Sequence, residues 1–389
     1  MITYTEIDSC RLCKSIDFNE IIKIPNLCIN DFPETPDGHR GRAPMTLIEC
    51  ADCGCVQLKE TVQDAVYKEY WYQSKLNQKI VNNLRDIVVD MTIHAKLNAG
   101  DRVLDIGAND GTLLSCYPND VVKIGVDPAD TIQDDLYHHA DYAIHDFFKA
   151  EDVLLTNMGG KCKAITSIAM FYDLPDPHAF VEDVKKVLHE DGVWCIQLMP
   201  LRPMVDTNDI GNICHEHIEY YTYHNLKELL NNHELTVFDV KENDINGGSY
   251  QLWVCHKGKR KESAFEEPNM DLQAWAKRLE KNKQDTLNFL NECAENNLNV
   301  YIYGASTKGN TIAQWYGIDT SLIKGAAEIH PDKVGRYMVG TGIPIVHEDE
   351  ARKDADYFLV MPFGFRDVFL QKETVPLVFC TPEFEVIKP

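Results

Sequence analysis

The chain has 389 residues, of which 44% are hydrophobic, which suits two or three domains and offers no stretch approaching the roughly 20 apolar residues of a membrane helix. Its 38 Lys and Arg stand against 61 Asp and Glu, and the net charge of −23 argues against nucleic acid as a partner. An anionic ligand would need a local cluster of cations and backbone N–H groups.

The first segment, residues 1–64, is rich in turn formers such as Asn30-Asp31-Phe32-Pro33 and too small for a strong core. Met1 to Ser9 has neither the basic patch nor the apolar run of a signal peptide, so a cytoplasmic protein is expected, without a membrane partner and monomeric. Cys10-Arg-Leu-Cys13 and Cys50-Ala-Asp-Cys53 are two C-x2-C knuckles, each offering two thiolates from one tight turn. The spacing predicts a zinc ribbon with structural Zn2+, because four protein thiolates leave no open coordination position. Cys55 competes with Cys53 for the fourth place.

Residues 65–258 form the second expected domain. A helical stretch covers about Val66 to Leu97, and short apolar runs follow at Arg102–Ile106, Val121–Val126, Ala164–Ala169 and Val193–Met199. Strands alternating with helices indicate a parallel, Rossmann-like α/β sheet. The first of these strands runs into Asp105-Ile-Gly107-Ala-Asn109-Asp110-Gly111, a glycine turn that carries carboxylates. Such a turn repels a pyrophosphate and suits a cation, which points to S-adenosyl-L-methionine with its sulfonium and ammonium. Asp127, at the end of the next strand, is placed to receive the ribose hydroxyls. Asp146 and Phe147 are candidates for the adenine amine and ring, with a helix N-cap as the alternative for Asp146.

The polar stretch His256–Lys261 reads as a linker to a third domain, residues 259–389. That domain opens on an amphipathic helix carrying Leu272, Trp275, Leu279, Leu287 and Leu290, followed by strand candidates at Val300–Tyr303, Phe358–Met361 and Leu377–Cys380. Gly304-Ala-Ser306-Thr-Lys308-Gly-Asn310 follows a strand and opens a helix, and Lys333 and Arg336 lie downstream. The loop suits a phosphate, or is a tight turn with a solvated lysine.

With the knuckles, the acidic glycine loop, His215-Glu216-His217-Ile-Glu-Tyr-Tyr221 and the Gly304 loop in view, the chain resembles the sugar C-methyltransferases that act on nucleotide-linked 4-keto-6-deoxyhexoses. The resemblance covers nearly the whole chain. It implies a zinc-binding domain, a central class I methyltransferase domain and a C-terminal α/β domain that helps hold a nucleotide-diphosphate-linked sugar. It also implies Glu216 and His217 as the catalytic pair, with His217 as base, and assigns a tyrosine role to Tyr72. Cys214 and Asp173 depart from the family pattern, which has tyrosine and histidine there.

The chemistry fits these residues. Carbon beside a ketone becomes nucleophilic when a base removes its proton, so His217 serves as base, with His215 its rival, while Tyr72 or Tyr221 donates to the enolate oxygen. Methylation at C3 is expected. The His-x-His spacing differs from the His-Glu-x-x-His of zinc proteases. O-methylation of the sugar and a non-catalytic zinc-ribbon scaffold are the alternatives.

Overall fold

The structure is a computed structural model that describes residues 1–68, 72–156, 159–361 and 366–388, apart from the side chains of Asp367 and Val368. In the N-terminal segment β1 (Tyr4–Glu6), β2 (Phe18–Cys28), β3 (Arg42–Cys50), β4 (Val56–Leu58) and β5 (Glu60–Val62) are short or irregular. Strands β2, β3 and β4 form an antiparallel meander, and β1 pairs with β5.

Helix α1 (Gln78–Ala95) starts at Asn77, whose side chain accepts the Lys79 N–H. It buries Ile80, Leu84, Ile87, Val88 and Met91 along one face and stops at Lys96 in the left-handed region. The helix predicted from Val66 therefore begins later, after two short 3-10 turns at Asp64–Tyr67 and Ser74–Leu76. A regular alternation follows: β6 (Arg102–Ile106), α2 (Thr112–Ser115), β7 (Val122–Val126), α3 (Gln133–His139), β8 (Tyr142–Ile144), α4 (Ala150–Leu155), β9 (Cys162–Ile168), α5 (Pro177–Val187), β10 (Leu188–Leu198) and α6 (Leu201–Thr207). Strand β11 (Glu219–Tyr220) leaves this unit and pairs antiparallel with β4, so the N-terminal sheet takes its fourth strand from the middle of the chain. Helix α7 (Tyr223–Asn232) leads to β12 (Leu235–Asn243) and β13 (Ser249–His256). The central sheet runs β12-β13-β10-β9-β6-β7-β8, parallel except where β13 enters between β10 and β12. This is the Rossmann-like class I arrangement expected for the middle of the chain.

The last unit holds α8 (Leu272–Glu295), β14 (Val300–Tyr303), α9 (Thr307–Tyr316), β15 (Gly325–Glu328), β16 (Ile345–His347), α10 (Glu348–Asp354), β17 (Tyr357–Val360), α11 (Arg366–Lys372), β18 (Leu377–Phe379) and β19 (Glu385–Ile387). Its sheet, β16-β15-β14-β17-β18-β19, is parallel except for β19 and has the doubly wound order with its switch point at β14.

One part of the core is shared by all three segments. Ile24, Met45 and Leu47 from the first segment, Met199, Met204 and Ile213 from the second, and Trp275, Leu290, Ile302 and Ile312 from the third pack in one buried cluster. The third segment also has a buried cluster of its own, with Tyr301, Tyr303, Phe358, Leu377 and Phe379, and the apolar mass that the first lacks is supplied by the other two. No helix among the described residues is long and apolar enough to cross a membrane.

Candidate active site

The four knuckle thiols converge. Their Sγ atoms lie within 4.8 Å of one another, with Cys10 and Cys53 3.6 Å apart and Cys13 and Cys50 3.4 Å apart. Tetrahedral zinc, with Zn–S bonds of about 2.3 Å, sets sulfurs about 3.8 Å apart, so this donor set fits the ion. Each knuckle closes on a left-handed residue, Lys14 or Gly54, whose N–H returns to the carbonyl of Cys10 or Cys50. Cys55 is buried beside Cys10 with its Sγ on the Val56 carbonyl and is not one of the four converging thiols, and Gln57 donates to Cys10 Sγ at 3.1 Å.

The acidic loop lies at the carboxyl end of β6, where an open α/β sheet binds ligands. Gly107 and Gly111 have φ of 73° and 74°, and Asn109 between them 50°. Asp127, at the end of β7, accepts the Asn109 N–H at 2.8 Å and the Ala129 N–H at 2.9 Å, one on each carboxylate oxygen. Asp105 is buried and held by the Thr166 hydroxyl at 2.6 Å; burial, then the charges of Asp127 and Asp110, push it up to about 7. Burial also raises Asp127. Three acids thus crowd one loop, an arrangement that positive charge relieves.

Segment 72–75 clasps this loop. Ser74 and Lys75 donate their N–H groups to Asn109 Oδ1 and Asp110 Oδ2, and Asn109 Nδ2 returns a bond to the Tyr72 carbonyl. Tyr72 is 43% exposed, and its phenol is raised to about 12 by enclosure of the hydroxyl and by Asp110. Asp146 is engaged by the Phe147 N–H and by Lys149, and Phe147 meets the Tyr67 ring edge-on at 6.2 Å. Asp146 is therefore not the N-cap of α4, whose cap position is Lys149.

His217 and Glu216 lie on a segment that runs from Asn208 to β11. His217 Nδ1 sits 3.0 Å from the Asn212 carbonyl, which fixes the proton on Nδ1 and leaves Nε2 with its lone pair. The His217 ring rests against Tyr172 at 4.3 Å, and burial lowers its pKa to about 4 against the opposing charge of Glu216. Glu216 is buried, its Oε2 has no hydrogen-bond partner, and its carbonyl accepts the Tyr67 hydroxyl at 2.8 Å. Two of the sequence candidates lie deep in the fold. His215 is buried with Nε2 on the Ala43 carbonyl at 2.9 Å, which pins the segment to β3. Tyr221 is fully buried against Phe171 and beside Glu219.

The Gly304 loop packs directly on this segment, for a Cβ on Gly211 would meet Lys308 Cβ at 2.8 Å. Ser306 caps α9 by accepting the Gly309 N–H at 2.9 Å. Lys308 is half-buried and paired: its Nζ bonds Asp209 at 2.9 Å and the Asn246 carbonyl at 3.2 Å. Two more candidates are engaged within the fold. Asn310 is fully buried and gives Nδ2 to the Asp31 carbonyl, and Lys333 bonds the Ala305 carbonyl while lying over the Phe32 ring. Both support the loop from behind. Arg336 pairs with Glu34 at 3.5 Å and bonds the Phe32 carbonyl at 3.1 Å.

Sequence reasoning overlooked a polar network at the carboxyl end of β10. Gln197 bonds Asn83 at 2.8 Å and accepts from Asn243 and Gln251. Its one signal is a glutamine inside the apolar run Val193–Met199. Tyr67 and Asn212 carried no signal, since Tyr67 acts by a hydroxyl on a backbone carbonyl far away in sequence and Asn212 by its own backbone carbonyl on the His217 ring.

Residues 72–240 match the methyltransferase domain family, and residues 244–377 match the C-methyltransferase C-terminal domain family. The C-methyltransferase NovU of Streptomyces niveus is 23% identical over 387 residues, spanning 94% of this chain and 92% of that protein. The chain is a methyltransferase. Among solved structures, the plantazolicin methyltransferase BpumL with a pentazolic desmethylPZN analog and SAH has a TM-score of 0.37 at 11% identity, covering 45% of this chain and 83% of that one. The magnesium protoporphyrin IX methyltransferase ChlM of Synechocystis PCC 6803 with bound SAH has a TM-score of 0.36 at 12% identity, covering 49% and 91%. In this methyltransferase the acidic loop and the Glu216–His217 segment both fall within the first matched domain, and the Gly304 loop within the second.

Proposed function

We propose that this methyltransferase moves the methyl group of S-adenosylmethionine to C3 of a nucleotide-linked 4-keto-6-deoxy sugar, with a structural zinc ion in the four-cysteine cluster. One observation carries the reading. Tyr67 bonds the Glu216 carbonyl while Tyr72–Lys75 clasp the acidic loop, so the same stretch of chain fastens the donor site to a histidine with a free lone pair.

When bound, S-adenosylmethionine supplies an electrophilic methyl carbon on a positively charged sulfur. Asp105, Asp110 and Asp127 supply the negative field for that charge, and Asp127 keeps a lone pair on each oxygen for ribose hydroxyls. Asp146 and Phe147 flank the adenine end. His217 Nε2 takes the C3 proton, Glu216 stabilises the imidazolium that forms, and Tyr72 stands on the donor side of the crevice. Ser306, Lys308 and Arg336 hold the diphosphate, Lys308 by exchanging Asp209 for a phosphate oxygen.

Mass spectrometry of products from a panel of nucleotide-linked 4-keto sugars tests this reading. A methyl on C3 is expected; a methyl on oxygen, or no methylation of any member, overturns it.

A further inference from the structure

Two carboxyl groups near His217 are left unsatisfied. Asp173 Oδ1 and Glu216 Oε2 are both enclosed and without a hydrogen-bond partner. Backbone bonds lock the two residues side by side: the Tyr67 hydroxyl reaches the carbonyls of both Asp173, at 3.4 Å, and Glu216, at 2.8 Å, and Ile218 donates to Tyr172 at 2.9 Å. Asp173 ends the short 3-10 turn after β9, beyond Ala169, whose φ of 55° is unusual for a residue with a Cβ. Met170, just before that turn, packs against Gly107 of the acidic loop, and Tyr172 within the turn lies 4.3 Å from the His217 ring, so the turn that carries Asp173 touches both the loop and the His217 segment.

The groups around Asp173 decide its protonation. Glu216 and Cys214 come from the segment before β11, Glu219 and Tyr220 from β11 and Tyr67 from the first 3-10 turn. The charges that act on Asp173, those of Glu216 and Glu219, are both negative. Burial and these two neighbours raise its carboxyl far above the usual carboxylate range. A buried acid that keeps its proton at neutral pH is a hydrogen-bond donor, and an enolate oxygen is what such a donor stabilises.

We propose that Asp173 is a catalytic residue of the methyl transfer, acting as a neutral carboxylic acid that donates a hydrogen bond to the oxygen of the substrate enolate. This rests on the reading above. His217 Nε2 takes the proton from carbon, and the C–H electron pair moves into the carbonyl, whose oxygen gains the charge and receives the Asp173 hydrogen bond. The carbon then bonds the methyl as the S–CH3 bond breaks, the sulfur leaves neutral, the carbonyl re-forms and Asp173 keeps its proton throughout. His217 later loses its proton to water.

The test has two parts. Infrared difference spectra of Asp173→Asn against the parent enzyme at neutral pH, without sugar, should show loss of a protonated carboxyl band; its absence from the parent overturns the proposal. Turnover is then measured on a thymidine diphosphate-linked 4-keto-6-deoxyhexose. Asp173→Ala should lose about 10²–10³ in kcat with KM nearly unchanged, the effect of deleting one oxyanion donor. Asp173→Asn keeps a neutral donor, so it should recover most of that loss and abolish the alkaline fall in kcat caused by ionisation of the acid. An alanine variant with parental kcat, or an asparagine variant as slow as alanine, overturns the proposal. If the parent methylates no keto-sugar, the functional reading fails and the donor role falls with it; if it does and only the Asp173 results disagree, that reading stands and this one falls.

Discussion

Asn225 donates its side-chain amide to the carbonyl of Cys53 at 2.9 Å, which fastens the helix after His217 to the second cysteine knuckle. His178 makes the matching bond to the Leu12 carbonyl in the first knuckle at 2.7 Å, and β11 extends the N-terminal sheet. The ion that would close the cluster therefore braces the chain on either side of β11 as well as its own small unit. Elemental analysis should find one zinc per chain, and Cys50→Ser should lose the metal and cost solubility or folding more than turnover. Structural zinc in isolated finger peptides contributes on the order of 10 kcal/mol, so a metal-free preparation with full thermal stability would overturn the prediction.

Asp127→Ala removes a charged acceptor for the ribose and releases the N–H groups of Asn109 and Ala129. Binding of S-adenosylmethionine should weaken by about 1.5–3 kcal/mol, read by calorimetry. An unchanged dissociation constant in a folded variant would show that the ribose lies elsewhere.

Lys308 and Asp209 give a paired test of the diphosphate site. Lys308→Ala should raise KM for the nucleotide sugar about tenfold or more and leave donor affinity nearly alone, as expected for a lost charge-assisted bond. Asp209→Asn frees the lysine from its ion pair and should lower that KM. Equal KM values in both variants and the parent would remove Lys308 from the site.

His217→Asn keeps a hydrogen-bonding group but cannot accept the proton. It should lose about 10²–10⁴ in turnover, together with the deuterium exchange that the parent shows at the carbon beside the ketone with S-adenosylhomocysteine in heavy water. The pH profile adds a second check. Because burial lowers the imidazole to about 4, it stays unprotonated well below the usual histidine range. The kcat/KM of the free enzyme should then hold level as pH falls to about 5 and decline only below that, since protonation removes the base. A decline centred near 6.5 would place the working histidine in a more exposed setting.

Much of this was legible in advance because it is local. Strands Arg102–Ile106 and Val300–Tyr303 are observed as expected, since apolar runs of that length bounded by glycine turns have few other folds. The knuckles converge because each is one tight turn. What escaped notice depends on distant partners. His215 resembles a ligand-binding residue until Ala43 is placed beside it, and Lys333 resembles a phosphate clamp until Phe32 and the Ala305 carbonyl claim its ammonium. Strands β12 and β13 alternate too irregularly to stand out, and β11 is two residues long.

The clasp between segment 72–75 and the acidic loop has a thermodynamic consequence. One end of that stretch of chain is bonded to Asn109 and Asp110 and the other, through Tyr67, to Glu216. We expect binding at the acidic loop and binding beside Glu216 to be linked, and by reciprocity each ligand then alters the other's dissociation constant by the same factor. Calorimetry of either ligand with and without the other reads that factor directly.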